Sequence, residues 1–552
     1  MAKYTIGVDF GTLSARALVC DTAAGREAAS FVFPYAHGVM DECLPDGTKV
    51  PVSAALQHPV DYIEALTESV KGAVEASGVS KEDIIGIGID FTSSTVLPVD
   101  KAMKPLCEKY PDNPHAYVKL WKHHSCGPQS ARLTEVFMRE EPALLHRCGD
   151  TVSTEWTLPK MLETLEEAPE VYESTHVFIE AGDWITYLLT GVPSASRSMA
   201  YCKVLWDENR GYPSGKLLAM VNPDFEGDID KLLPVAEKGY FAGWLTEEMA
   251  GKLGLMPGIA VSQPCIDAHA SLPGTGVTEA GRMLLIMGTS LVGLMLTDKQ
   301  VPVPGVCGMP MGGMVEDLCG YEAGQSCVGD LFAWFVDNCL PAEYAAKAEK
   351  AGMNKHQYLT CLCEKQRVGE HGLIALDWWN GNRSVLCDPD LSGLLIGMTL
   401  KTKPEDIYRA LIESTAFGAR AIIENYEQHG VPVTDLVACG GIAGKNPFLV
   451  QVFADVLKRE ISVSSSKQSG ALGSAIYAAV AAGSTEGGYD FVRDAAEHMS
   501  SRADTVYRPD PARAEAYDKL YSEYIALHDL FGRGGNDLMK RLKKIREAQC
   551  IS

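Results

Sequence analysis

Two apolar runs in this chain break at Gly-Thr and then resume. The first is Tyr4-Thr5-Ile6-Gly7-Val8-Asp9-Phe10, interrupted by Gly11-Thr12 and continued from Ser14 into Ala15-Arg16-Ala17-Leu18-Val19. The second is Leu284-Leu285-Ile286-Met287, interrupted by Gly288-Thr289-Ser290 and continued as Leu291-Val292-Gly293-Leu294-Met295. Each predicts a strand, a tight turn and a returning strand. Glycine lets the turn backbone come close to a ligand, consecutive N–H groups form a nest for phosphate oxygens, and the hydroxyl that follows adds a donor. Two such hairpins predict two related halves that grip one polyphosphate from opposite sides, through Gly11, Thr12 and Ser14 in one half and Gly288, Thr289 and Ser290 in the other.

The rest of the chain fits that duplication. A helix with apolar positions Val60, Ile63, Leu66, Val70 and Ala73 precedes a buried strand, Ile84 to Asp90. Residues 110 to 260 are richer in Trp, Tyr, His and Pro and suggest an inserted lobe. A break around Pro264 to Gly276 marks the boundary, giving domains 1–276 and 277–552. The second half repeats the order: hairpin, a long helix from about Pro404 to Gln428, and the strand Leu436-Val437-Ala438-Cys439. A glycine-rich turn then leads into a helix from Pro447, residues 469 to 482 form another helix, and a helical tail follows. At 552 residues the chain exceeds one core, and the expected fold class is α/β, two mixed-sheet domains with a cleft between them.

Bulk chemistry removes several classes of function. The net charge is −23 with no run of Lys or Arg, so nucleic acid and anionic membrane surfaces are poor partners. The first strand begins too near Met1 for a signal peptide, and no apolar run reaches the length of a membrane span. Sixteen cysteines are scattered without a C-x-x-C pair, which fits inert thiols in a reducing, cytoplasmic setting.

Several side chains carry candidate chemistry. Asp9, at the end of the first strand and beside the phosphate turn, is placed to hold Mg²⁺, a hard cation that takes oxygen ligands. Gly440, Gly441, Lys445 and Asn446 lie in a strand-to-helix turn that fails the P-loop pattern in spacing and in the residue after Lys445, yet offers bare backbone to a ring or ribose. Asp267 or His269, two residues apart at the domain boundary, is a candidate base for an alcohol; treated as strand neighbours they point the same way. Lys203, Glu322 and Gln325 sit among apolar or glycine neighbours and need partners, from protein or from sugar. Trp121-Lys122-His123-His124 reads as part of the substrate lobe rather than as a metal site.

Taken together, these motifs resemble those of the FGGY carbohydrate kinases, of the actin-like (RNase H-like) two-domain ATPase superfamily, along essentially the whole chain. The resemblance also rests on Glu155-Trp156, Lys203-Val204-Leu205-Trp206, Gly320-Tyr321-Glu322-Ala323-Gly324-Gln325-Ser326 and the segment Ala375 to Arg383. It implies Mg²⁺ and ATP as cofactors and phosphoryl transfer to the terminal hydroxyl of a ketopentose, L-ribulose first, with D-ribulose, xylulose or ribitol as alternatives. It implies Asp267 as the base, Lys203 and Glu322 on the sugar hydroxyls, and Ser93 and Ser94 lining the pocket. Gly441, Lys445 and Asn446 would lie along adenosine, and Tyr517, Tyr521 and Tyr524 on a closing helix. Tyr201-Cys202 departs from the Gly-His expected in many relatives and bears on pentulose preference. A homodimer is the candidate assembly. The reading from another class is a non-catalytic nucleotide-binding protein of actin-like fold.

Overall fold

The computed structural model describes residues 2–308, 311–501 and 503–550. It divides into two compact units. The first gathers the chain up to Glu279 with Gly308–Gly320 and Gln468–Ser501; the second gathers Ala280–Cys307, Tyr321–Lys467 and the chain beyond Ser501.

In the first unit the opening hairpin pairs Tyr4–Phe10 with Ser14–Asp21, and Glu27–Pro34 extends it. On the other side of Tyr4–Phe10 lies Ile84–Phe91, in parallel, followed by Ala260–Ser262 and Phe241–Trp244; Cys265–Ile266 also pairs with Ile84–Phe91. The central strands are covered on both faces, and so they read as nearly continuous apolar runs. The helix Pro59–Ser77 covers one of them, started by Pro59 behind a capping His58 and stopped by Gly78 in the left-handed conformation. Its buried face is Tyr62, Leu66, Val70 and Ala73, whereas Val60, assigned to that stripe from its spacing, is 46% exposed in the first turn.

The helix Ser469–Ala482 also belongs to this unit. Its small residues rest on Tyr4–Phe10 and Ile84–Phe91, and Thr5 Oγ1 donates to the Ala475 carbonyl at 2.8 Å. A four-stranded sheet of Leu56–Gln57, Val118–Lys119, Val96–Val99 and Val177–Glu180 carries the lobe.

The second unit repeats the plan. Arg282–Met287 pairs antiparallel with Leu291–Thr297 and parallel with Asp435–Cys439, which pairs in turn with Ile461–Ser464. The long helix Pro404–Gln428 and the helix Pro447–Leu457 pack together, and Pro511–Gly532 joins them through Tyr517, Tyr521 and Tyr524. Among the described residues no helix is long and apolar enough to cross a membrane.

Candidate active site

Parallel pairing brings three carboxylates to one edge of the first sheet. Asp9 stands directly beside Asp90 in register, and Cys265 pairs with Asp90 in the next strand, so Asp267 follows two residues beyond that column. The carboxyl ends of parallel strands are where open α/β sheets bind ligands. Burial pushes the Asp9 carboxyl up from its ordinary value, and the Arg16 guanidinium, 3.6 Å away, opposes it. Asp90 is pushed up further, by burial first and by the Asp9 charge second; Asp267 adds to this, and the Ser474 hydroxyl, donating at 2.6 Å, works against it. Of the pair, Asp90 carries the larger upward push. Asp90 carried no role in the sequence reading. Its signal was an acid at the end of an otherwise apolar run, and only the strand register shows that it faces Asp9.

Asp267 does not lie on a strand. It opens the helix Asp267–Gly274, where its Oδ1 accepts from the Ala268 N–H at 2.7 Å. His269 is therefore about 200° round a helix from Asp267 rather than on the same side as strand neighbours would be, and the two are not interchangeable. His269 is fully buried and Asp267 only partly so.

Each Gly-Thr turn closes on a serine carbonyl, over three residues in one and two in the other: Gly11 N–H donates to the Ser14 carbonyl at 3.0 Å, and Gly288 N–H to the Ser290 carbonyl at 2.9 Å. Neither glycine is required by the protein itself. A Cβ on Gly11 would meet nothing nearer than the Ser14 carbonyl at 3.5 Å, and one on Gly288 nothing nearer than the Ser290 carbonyl at 3.8 Å. Backbone left bare where the fold has room for a side chain suits close approach by something outside the chain.

Gly440 differs. It has φ of 95°, and a Cβ there would lie 2.6 Å from the Met287 carbonyl, so only glycine fits. That carbonyl accepts from the Ile442 N–H at 3.2 Å, which sets the 440–446 turn directly against the end of the strand that leads into Gly288. Gly441 and Lys445 are exposed beside it. Asn446 caps the helix Pro447–Leu457, its Oδ1 accepting from the Leu449 N–H at 3.1 Å.

On the lobe side, Ser93 and Ser94 follow the end of Ile84–Phe91; Ser94 is fully buried, with φ of 55°. Lys203 ends the helix Arg197–Lys203, buried, and its charge is felt by the buried Glu180. The Tyr201 ring lies under the Arg147 guanidinium at 4.4 Å, and Cys202 is buried. His123 Nε2 meets Glu163 at 2.9 Å while its Nδ1 accepts from the Ala55 N–H, a core role. In the second unit Glu322 is half-buried on Cys319–Gln325. Gln325 finds its partners in protein: its amide donates to Asp377 Oδ2 at 2.6 Å and to the Thr415 carbonyl, and Tyr524 donates to Asp377 Oδ1 at 2.8 Å. Asp9, Gly11, Thr12, Ser14, Ser93, Ser94, Lys203 and Asp267 thus belong to the first unit. Gly288, Thr289, Ser290, Glu322, Gly440, Gly441, Lys445 and Asn446 belong to the second.

Comparison with known proteins shows the family of the chain. Residues 4–274 match the N-terminal domain model of the FGGY family of carbohydrate kinases, and residues 283–482 match its C-terminal domain model. A ribulokinase of Halalkalibacterium halodurans is 48% identical, over 99% of this chain and 98% of that one. A ribulokinase of Mycolicibacterium smegmatis is 44% identical, over 99% and 96%. Among solved structures, a xylulose kinase from Rhodospirillum rubrum superposes with a TM-score of 0.79 at 22% identity, covering 95% of this chain and 98% of that one. A glycerol kinase from Plasmodium falciparum superposes at 0.74 and 17%, with the same coverage, and these two show the actin-like fold alone.

Proposed function

This chain belongs to the FGGY family of carbohydrate kinases, an ATP-dependent enzyme, and we propose that its substrate is L-ribulose, phosphorylated on the terminal hydroxyl to L-ribulose 5-phosphate. Full-length likeness to ribulokinases supports the sugar. The chemistry rests on one observation: Asp9 and Asp90 stand side by side at the ends of parallel strands, and Asp267 opens the helix that follows the strand paired with Asp90, all in one unit.

In this reading Asp267 is the base. The Ala268 N–H bond fixes how its carboxylate is turned, and the proton of the sugar hydroxyl passes to it late, as the bond to phosphorus forms. Lys203, Ser93, Ser94 and Glu322 hold the ketose hydroxyls. The backbone N–H groups of both Gly-Thr turns take phosphate oxygens, and Gly440, Gly441, Lys445 and Asn446 flank the nucleoside.

The donor set fits Mg²⁺. Asp9 and Asp90 offer hard oxygens, and among the described residues no group of three or more His, Cys, Asp or Glu forms a metal cage. That suits a cation that keeps several waters and takes the rest of its ligands from phosphate. Bound there, Mg²⁺ would neutralise charge on the phosphate oxygens during transfer.

Mg²⁺-dependent ADP release should be measured with L-ribulose, D-ribulose, xylulose and ribitol, using Asp267→Asn as the blank. Stimulation led by L-ribulose and lost in the blank is the expected result. Preference for another sugar would overturn the substrate, and full activity in the blank would overturn the base.

A further inference from the structure

We propose that Lys160 is a positioning residue that couples the sugar-side turn at Ser94 to the phosphate turn at Thr12. Lys160 lies in the helix Thr157–Glu167 and is 1% exposed. Its ammonium donates to three backbone carbonyls: Ser94 at 2.5 Å, Leu120 at 2.9 Å and Lys119 at 3.5 Å. The residue after Leu120 is Trp121, whose indole N–H donates to Thr12 Oγ1 at 3.2 Å. Gln57 holds the same turn from its backbone side, donating to the Thr12 carbonyl at 2.7 Å. A continuous path of hydrogen bonds therefore runs from Ser94 through Lys160 and the 120–121 backbone to Thr12.

Three features say that this path does more than fill a core. A charge buried against carbonyls costs stability that an apolar side chain would not, and burial accordingly pulls the Lys160 ammonium down to about 8. Ser94 is held with a positive φ, a conformation a serine adopts at a cost unless its surroundings impose it, and the Lys160 bond to its carbonyl is one such constraint. Ser94 Oγ, fully buried, makes no hydrogen bond with the described protein atoms, so a movement of this turn is what would bring it a partner. The segment bearing Trp121 is braced from behind, because Lys119 and His123 both reach Glu163, at 2.6 and 2.9 Å. A shift of Ser94 on sugar binding is thereby passed to Thr12 rather than absorbed.

This inference rests on the kinase reading, with sugar at Ser94 and phosphate at Thr12. The test is calorimetric binding of a non-hydrolysable ATP analogue with Mg²⁺, with and without L-ribulose, in the parent, Lys160→Met, Lys160→Arg and Trp121→Phe. The parent should bind the analogue about ten-fold more tightly with sugar present. Lys160→Met should remove most of that factor and raise the sugar KM about ten-fold, Lys160→Arg should restore part of it, and Trp121→Phe should reduce it about three-fold. Trp121→Phe keeps an aromatic ring while removing the indole N–H, and decides the matter alone if Lys160→Met does not fold. An unchanged factor in Trp121→Phe, or a parent that phosphorylates L-ribulose with no such factor, overturns the coupling. A parent whose analogue affinity and ADP release respond to another pentulose overturns the substrate and leaves the coupling supported.

Discussion

The two hairpins are built to one plan and carry different chemistry. In both, a strand ends just before a glycine, the glycine N–H closes the turn on a serine carbonyl, and a parallel strand lies on the other side. Two residues before the glycine, however, the first hairpin has Asp9 beside Asp90, whereas the second has Ile286 beside Cys439. Duplication supplied the backbone cradle twice, but acid was placed at only one of them. A phosphate nest needs only backbone donors, which both copies have, while a cation needs carboxylate, so the proposed Mg²⁺ would be directed to the first.

The strongest challenge to that contrast is Asp267→Asn. Loss of the base should lower kcat about 10²–10⁴-fold with both substrates still bound, measured by steady-state kinetics and calorimetry. Near-normal kcat would detach the acidic edge from catalysis. Next is Asp9→Asn, expected to cut kcat about 10²-fold and to raise the Mg²⁺ concentration needed for half-maximal rate. Cys439→Ala, the matching position of the other hairpin partner strand, should leave the Mg²⁺ dependence where it was.

Smaller effects sharpen the likeness rather than the difference. Gly11→Ala and Gly288→Ala should each raise the ATP KM, by about ten-fold, with Tm unchanged, because the fold leaves room for both methyl groups. A lowered Tm with unchanged KM would make those glycines structural.

The last prediction concerns the lobe, which has no duplicate. Burial lowers the His123 imidazole from 6.5 to about 4, with Lys119 and Lys160 adding to this and Glu163 opposing it. The unfolded chain then binds more protons between those limits, so stability is full above pH 6.5 and is lost as pH falls towards 4. The loss attributable to this group is about 3 kcal/mol. Thermal melts across that range should slope accordingly, and His123→Gln, which keeps a donor for Glu163, should make the slope shallower, leaving the part due to His115, which burial lowers to about 3.

The hairpins, the helix Pro404–Gln428 and the turn into Pro447 were legible because period and punctuation are local signals. What pairs with what was not. Asp9 and Asp90 are both visible as acids ending apolar strands, but parallel register is fixed by packing far from either residue, so their contact cannot be read from spacing. Asp267 was misread for a related reason. Two strand residues, Cys265–Ile266, lead straight into a helix, and nothing in Gln263-Pro264-Cys265-Ile266 marks where the period changes. Gln325 had a protein partner that only tertiary structure supplies, an aspartate 52 residues on.

The helix Ser469–Ala482 has a consequence for how this protein is made. Thr5 bonds to Ala475, 470 residues later, so one face of the first sheet stays uncovered until nearly the whole chain has left the ribosome. At typical synthesis speeds that wait is on the order of a minute. During it, the strands Tyr4–Phe10 and Ile84–Phe91 present an apolar face to the crowded cell, and a message truncated after the first half would yield a product that never covers it.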